Sequence, residues 1–172
     1  MEEQNFNTLE EDNSTLSIKE RRGTFLTVLC ILSWIASGGT FITSLFSLIN
    51  GKEGVQNQII DAENQLELAD NELLYGVLDA SIKQLYVVLE NFYPIYLSSL
   101  ILGGLGIFAV YLMFNLKKAG FNLYVGYAIL APVVNYYFVK DIPYSVLGTA
   151  FALIISVVFI IMYYTNLKRM TN

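Results

Sequence analysis

The chain has 172 residues, 55% of them hydrophobic and only 15% charged, with a mean hydropathy of +0.51; soluble domains run near 45–50% apolar and about 25% charged, so an ordinary water-soluble domain is excluded. The net charge of −5, from 15 acids against 10 bases, argues against nucleic acid as a partner. With no histidine and a single cysteine, an intramolecular disulfide, a Cys/His zinc site and histidine acid–base chemistry are excluded as well.

Residues 1–23 begin with an acidic stretch rich in Asn, Ser and Thr and free of bases up to Lys19, which predicts a disordered cytoplasmic tail. Arg21 and Arg22 then precede an apolar run containing Ala36, Ser37 and Gly38, as in a signal peptide. The run stays apolar far beyond the roughly 7–15 residues of a secretory h-region, so it reads as a first membrane span, residues 24–50. Three further apolar runs follow at 92–116, 121–139 and 142–165, and no Asp, Glu, Lys or Arg lies within their apolar cores. A membrane helix needs about 20 residues, with about 17–25 usual, so the expected fold is all-α, with four transmembrane helices. Pro132 in the third span removes a backbone donor and predicts a kink that neighbouring groups can accommodate.

Basic residues set the expected orientation, because basic flanks are retained in the cytoplasm. Lys19, Arg21, Arg22, Lys117, Lys118, Lys168 and Arg169 fall on one side, and Lys52, Lys83 and Lys140 on the other. Both termini, including the tail 166–172, and the turn after Leu116 are therefore expected inside. Tyr93, Tyr96, Tyr136, Tyr137 and Tyr144 at the outer ends, with Tyr111, Tyr124, Tyr163 and Tyr164 at the inner ends, read as headgroup-level anchors.

In lipid, helices associate through close contact, so small and hydroxyl residues mark packing faces. Ser33, Ser37, Thr40, Ser44 and Ser47 form one such face at alternating spacings of 4 and 3. Ser99, Gly103 and Gly106 form a second, and Gly148, Ala152 and Ser156 a third. A packing role is preferred over a polar pathway, since such hydroxyls can bond back to their own helix. Asn135 is expected to make an interhelical hydrogen bond, and Cys30 reads as a small apolar residue.

The outward segment 51–91 carries two apolar stripes at 3–4 spacing: Ile59, Ala62, Leu66, Ala69 and Leu73, then Leu78, Ile82, Leu85, Leu89 and Phe92. Each predicts an amphipathic helix, with a bend or helical hairpin near Gly76 and with Pro94 in the first turn of the second span. Ile59, Leu66, Leu73, Leu78, Ile82, Leu85 and Leu89 form a candidate partner surface. Glu63, Glu67 and Asp70 share a face, which reads as solvated rather than as a cation site. Gly103-Gly104-x-Gly106 lies within a span and does not read as a nucleotide loop.

The stretch from Phe25 to Ser33, the turn Leu116-Lys117-Lys118-Ala119-Gly120-Phe121 with Tyr124, and the ending from Tyr163 to Met170 resemble small four-span membrane proteins of Bacteroidota. The resemblance implies a bacterial inner-membrane location, and no activity or functional residue comes with it. No ionisable group is expected at depth, although transporters and proton relays usually carry one, and no nucleophile–base pair is apparent. The expected function is structural: an accessory subunit or self-associating scaffold that meets the lipid bilayer and a protein partner or second copy, without cofactor, metal, nucleotide or nucleic acid. The alternatives are a carrier or oligomeric channel for a small uncharged solute and, behind it, a membrane-embedded enzyme.

Overall fold

The computed structural model describes residues 18–143 and 145–170. Most of the expected acidic tail, the anchor Tyr144 and the side chains of the basic residues 19, 21, 22 and 169 lie outside the described set. Five helices account for nearly all of it: α1 (Ile18–Glu67), α2 (Glu72–Glu90), α3 (Phe92–Phe114), α4 (Lys118–Val139) and α5 (Ser145–Tyr164), followed by a 3-10 turn, Leu167–Arg169.

Three helical segments are long and apolar enough to cross a membrane: Gly23–Glu67, Phe92–Phe114 and Ser145–Tyr164. The third expected span, α4, is not among them, because Asn122, Asn135, Pro132 and four tyrosines dilute its apolar character.

α1 is interrupted twice, at Gly23 (φ 71°, ψ 155°) and at Gly51 (φ 67°, ψ −166°). That backbone region is essentially reserved for glycine, so Gly51 separates the apolar part of α1 from a second helical stretch, 52–67. The chain reverses at 68–71 and returns as α2, forming a helical hairpin. The hairpin expected near Gly76 thus forms, but its reversal lies earlier in the chain, and Gly76 sits inside α2. The reversal is fixed instead by Asn71, whose side chain accepts a hydrogen bond from the Leu73 N–H at 2.8 Å, satisfying one of the otherwise unpaired donors of the first turn. Glu72 in that turn complements the positive end of the helix dipole.

Asn91 separates α2 from α3, and Pro94 falls in the first turn of α3, where its missing N–H costs nothing. α3 stops two residues before Leu116, a non-glycine residue at φ 60°. The Leu116 N–H bonds to the Met113 carbonyl and the Lys117 N–H to the Leu112 carbonyl, each at 2.9 Å. This is the Schellman pattern, which normally places glycine at the left-handed position. Here burial of the Leu116 side chain, 3% exposed, offsets the roughly 1–2 kcal/mol that the conformation costs.

α1 packs most extensively on α3, α3 on α4, and α4 on α5; α2 lies along the second stretch of α1. The registers are antiparallel. A methyl group on Gly103 would stand 3.1 Å from Phe41, and one on Gly106 would stand 2.7 Å from Ser37 Oγ and 2.9 Å from Tyr127. At the next turn a methyl group on Gly120 would reach 2.6 Å from Met113 N and 2.7 Å from the Ala109 carbonyl.

Two apolar cores form at opposite ends. The first gathers Leu26, Leu29 and Cys30 of α1, Ala109, Val110 and Met113 of α3, Tyr124 and Ala128 of α4, and Tyr163 of α5, with Leu116 and Met170. The second holds Val55 and Ile59 against Phe92, with Leu85, Val88 and Leu89 packed on them. Between the cores, the middle of the bundle is less tightly filled.

Candidate functional site

The expected packing residues divide into two kinds. Ser33, Ser37, Ser44, Gly103 and Gly106 are buried, whereas Ser47, Ser99 and Ser156 are partly covered and Thr40, Gly148 and Ala152 are exposed. Open space surrounds Gly148, with nothing within 4 Å of the position a methyl group would take. On the outer hairpin, Ile59 and Ile82 are buried, Leu66, Leu78, Leu85 and Leu89 are partly covered, and Leu73 is exposed. Much of that stripe is therefore spent closing the hairpin on itself and on α3.

Hydroxyl partners separate the serines and threonines of α1 further. Thr40 donates to the Ala36 carbonyl and Ser44 to the Thr40 carbonyl, the back-bonding that lets a hydroxyl sit in an apolar setting. Ser33 and Ser37 instead reach tyrosines on other helices. Tyr163 donates to Ser33 Oγ at 2.9 Å, Ser33 and Tyr124 hydroxyls stand 3.5 Å apart, and Ser37 donates to the Tyr127 hydroxyl at 3.3 Å. Five hydroxyls from α1, α4 and α5 thus converge. The rings of Tyr124 and Tyr163 meet edge-on at 4.8 Å between centroids, a favourable aromatic geometry.

These contacts correct the reading of two tyrosines. Tyr163 is 0% exposed and Tyr124 6%, so both face the interior of the bundle rather than its surface. Tyr93, Tyr111, Tyr136, Tyr137 and Tyr164 are exposed, as an anchor requires. A partner hydroxyl on α1 decides the difference, because a buried phenol needs one.

Beside the cluster lies a cavity of about 160 Å³ among α1, α4 and α5, lined by Ser33, Ser37, Tyr124, Tyr127, Ala131, Pro132 and Ser156, among others. A second, of about 240 Å³, shares Tyr127 and Ala131 with it and adds Thr40, Ser98, Ser99 and Asn135. A third, of about 310 Å³, shares Asn135 with the second and opens between α2 and the ends of α4 and α5, with Ser81, Gln84, Gly148 and Thr149 on its walls. Sequence reading singled out Ser37, Thr40, Asn135, Gly148 and Ser156 but not Tyr127, which joins two of the three cavities. The three-residue step from Tyr124 to Tyr127 on one helix face was the available signal.

No charged side chain lines any of the three, so the arrangement can hold a neutral molecule by hydrogen bonds and shape. On the outer hairpin, Tyr86 donates to Glu63 Oε1 at 2.8 Å and ties α2 to the second stretch of α1. That bond to the carboxylate raises the Tyr86 pKa above its usual value.

Comparison with protein-family models, curated proteins and solved structures returns no match to this chain.

Proposed function

We propose that the chain is a four-span bacterial inner-membrane protein with both termini in the cytoplasm, and that it serves as an assembly subunit, docking through α5 with a second copy or a protein partner. Support for the fourth span comes from register. α4 runs antiparallel to α3 over its length, from Gly120 beside Ala109 and Met113 to Asn135 beside Ile95 and Ser98. If α3 crosses the bilayer, so does its neighbour. Lys117 and Lys168 mark one end of this bundle, and Lys52, Lys83 and Lys140 the other, the asymmetry expected of a cytoplasmic and an outer face.

The observation that carries the assembly role is the state of the three small-residue faces. Those on α1 and α3 meet each other, with Gly103 against the Phe41 backbone and Gly106 against the Ser37 hydroxyl. On α5, Ala152 is exposed and Gly148, on the wall of the cavity facing α2 and α4, leaves room for a neighbouring backbone, although small residues at four-residue spacing are the usual means by which membrane helices approach. The test is the mass of the protein in mild detergent by native mass spectrometry. A defined oligomer or stoichiometric complex is expected, reduced to monomer by Ala152→Phe, at the exposed position of that face; a monomer at every concentration contradicts the reading. Ser37→Leu and Gly103→Leu do not serve here, because they strike contacts within the chain.

The three cavities in series favour a second reading, a carrier for a small uncharged solute. Flux into liposomes, blocked by Ser156→Leu, would support it over assembly.

A further inference from the structure

We propose that the cavity among α1, α4 and α5 binds an uncharged six-membered-ring carbonyl compound with an apolar tail, the chemistry of a quinone headgroup, and that the Tyr127 hydroxyl donates to its oxygen. The inference stands apart from assembly through α5.

The hydrogen-bond inventory leads to the donor. Tyr163 gives its proton to Ser33 and Ser37 gives its proton to the Tyr127 oxygen. A phenol has one proton to donate, and that of Tyr127 is not used in its bond with Ser37. Unlike a serine or threonine, a tyrosine hydroxyl stands too far from its own backbone to bond back to it, so the remaining proton is available to an acceptor in the cavity that Tyr127 lines. An uncharged acceptor is required, since no cation is present to balance an anion and no carboxylate to balance a cation.

Size selects the shape. The cavity measures about 160 Å³, and one of about 150 Å³ accommodates a benzene ring. Liquid water would need about five molecules at roughly 30 Å³ each, every one seeking 2–4 polar partners. Ala36, Ala128, Ala131, Pro132 and Phe159 on the walls supply no polar side chain for that purpose. A single flat ring matches them better, with the mutually tilted rings of Tyr124 and Tyr127 on the α4 wall offering aromatic surface. Ile155, also on the wall, is 43% exposed, so the cavity reaches the outer surface of the bundle, where an apolar tail continues into lipid.

The experiment titrates decylbenzoquinone into the full chain in lipid nanodiscs and follows quenching of Trp34, the one tryptophan, which neighbours Ser33 on α1. Decylbenzene, which has the same tail and no carbonyl, is the control for binding by displacement of its effect. Saturable quenching is expected, displaced poorly by decylbenzene, with affinity about three- to tenfold weaker in Tyr127→Phe, the loss of one hydrogen bond, and abolished in Ala131→Leu, which fills the cavity from α4. Quenching that rises linearly with probe in the wild type, as simple partitioning does, overturns the proposal. So does equal competition by decylbenzene, or an affinity unchanged in Tyr127→Phe.

Discussion

Gly120 and Gly126 lie on the same helix and differ in what surrounds them. A methyl group on Gly120 would meet the backbone of α3 at Met113 and Ala109, which cannot swing aside, whereas nothing stands within 4 Å of one on Gly126. Gly120→Ala is expected to lose about 1–3 kcal/mol, the usual cost of overpacking, and Gly126→Ala to stay within about 0.5 kcal/mol, measured by reversible unfolding in mixed micelles. Equal effects would mean that α3 and α4 are less closely apposed. At this scale Gly103, Gly106, Ser33 and Ser37 stand out in their spacing, whereas Gly120, next to a turn, does not. Neither do Tyr124 and Tyr163, because a tyrosine near the end of a span fits a headgroup anchor and a buried donor equally well. Only the position of Ser33 across the bundle separates the two. Leu116 was illegible for a related reason: its left-handed backbone is held by burial of a side chain that looks, in sequence, like the last residue of a span.

For the helical elements, the two amphipathic periods of the outer segment appear as the 52–67 stretch and α2, and each buries part of its stripe, Ile59 on one and Ile82 on the other. The place of reversal was misread because a mid-helix glycine costs only about 0.5–1 kcal/mol relative to alanine, too little to end α2 at Gly76. The Asn71 cap, five residues earlier in the chain at Asp70-Asn71-Glu72, is the stronger signal. Gly51 is the opposite case, a glycine that its backbone does require. Gly51→Ala is expected to destabilise the protein by about 1–3 kcal/mol, while Gly54→Ala, in ordinary helical conformation, should be neutral or stabilising; the same unfolding assay decides, and parity between the two would contradict the break at Gly51.

The contact between the two arms of the hairpin also makes a pH prediction. Because the Glu63 carboxylate raises the Tyr86 pKa, the folded state holds the phenolic proton more tightly than the unfolded chain. The contribution is therefore fully present below the usual tyrosine value of about 10 and is lost as pH rises through the elevated folded value. The Tyr86 ring-carbon resonance should titrate above that of an unperturbed tyrosine and return towards it in Glu63→Gln. Identical midpoints in the two proteins would show that the arms do not meet there.

Taken as a whole molecule, the protein is a helical bundle with a core at each end and hydroxyl-lined space between. Its all-helical character was legible in the apolar runs, and three of the four runs coincide with helices long and apolar enough to cross a membrane. α4 is the informative exception. Of the residues that dilute it, Tyr124, Tyr127, Pro132 and Asn135 line the cavities, so part of its lower hydropathy follows from facing the space between helices, whereas Asn122, Tyr136 and Tyr137 are exposed. The proposed four crossings would place Lys117 and Asp141, the exposed residues flanking α4, on opposite sides of the membrane, with Asn57 of the hairpin on the side of Asp141. Single cysteines at these three positions, in a Cys30→Ser background, can be probed in intact cells with a membrane-impermeant thiol reagent. The account predicts labelling at positions 57 and 141 and protection at 117 until the membrane is opened; labelling at both 117 and 141, or at neither, would contradict a crossing by α4.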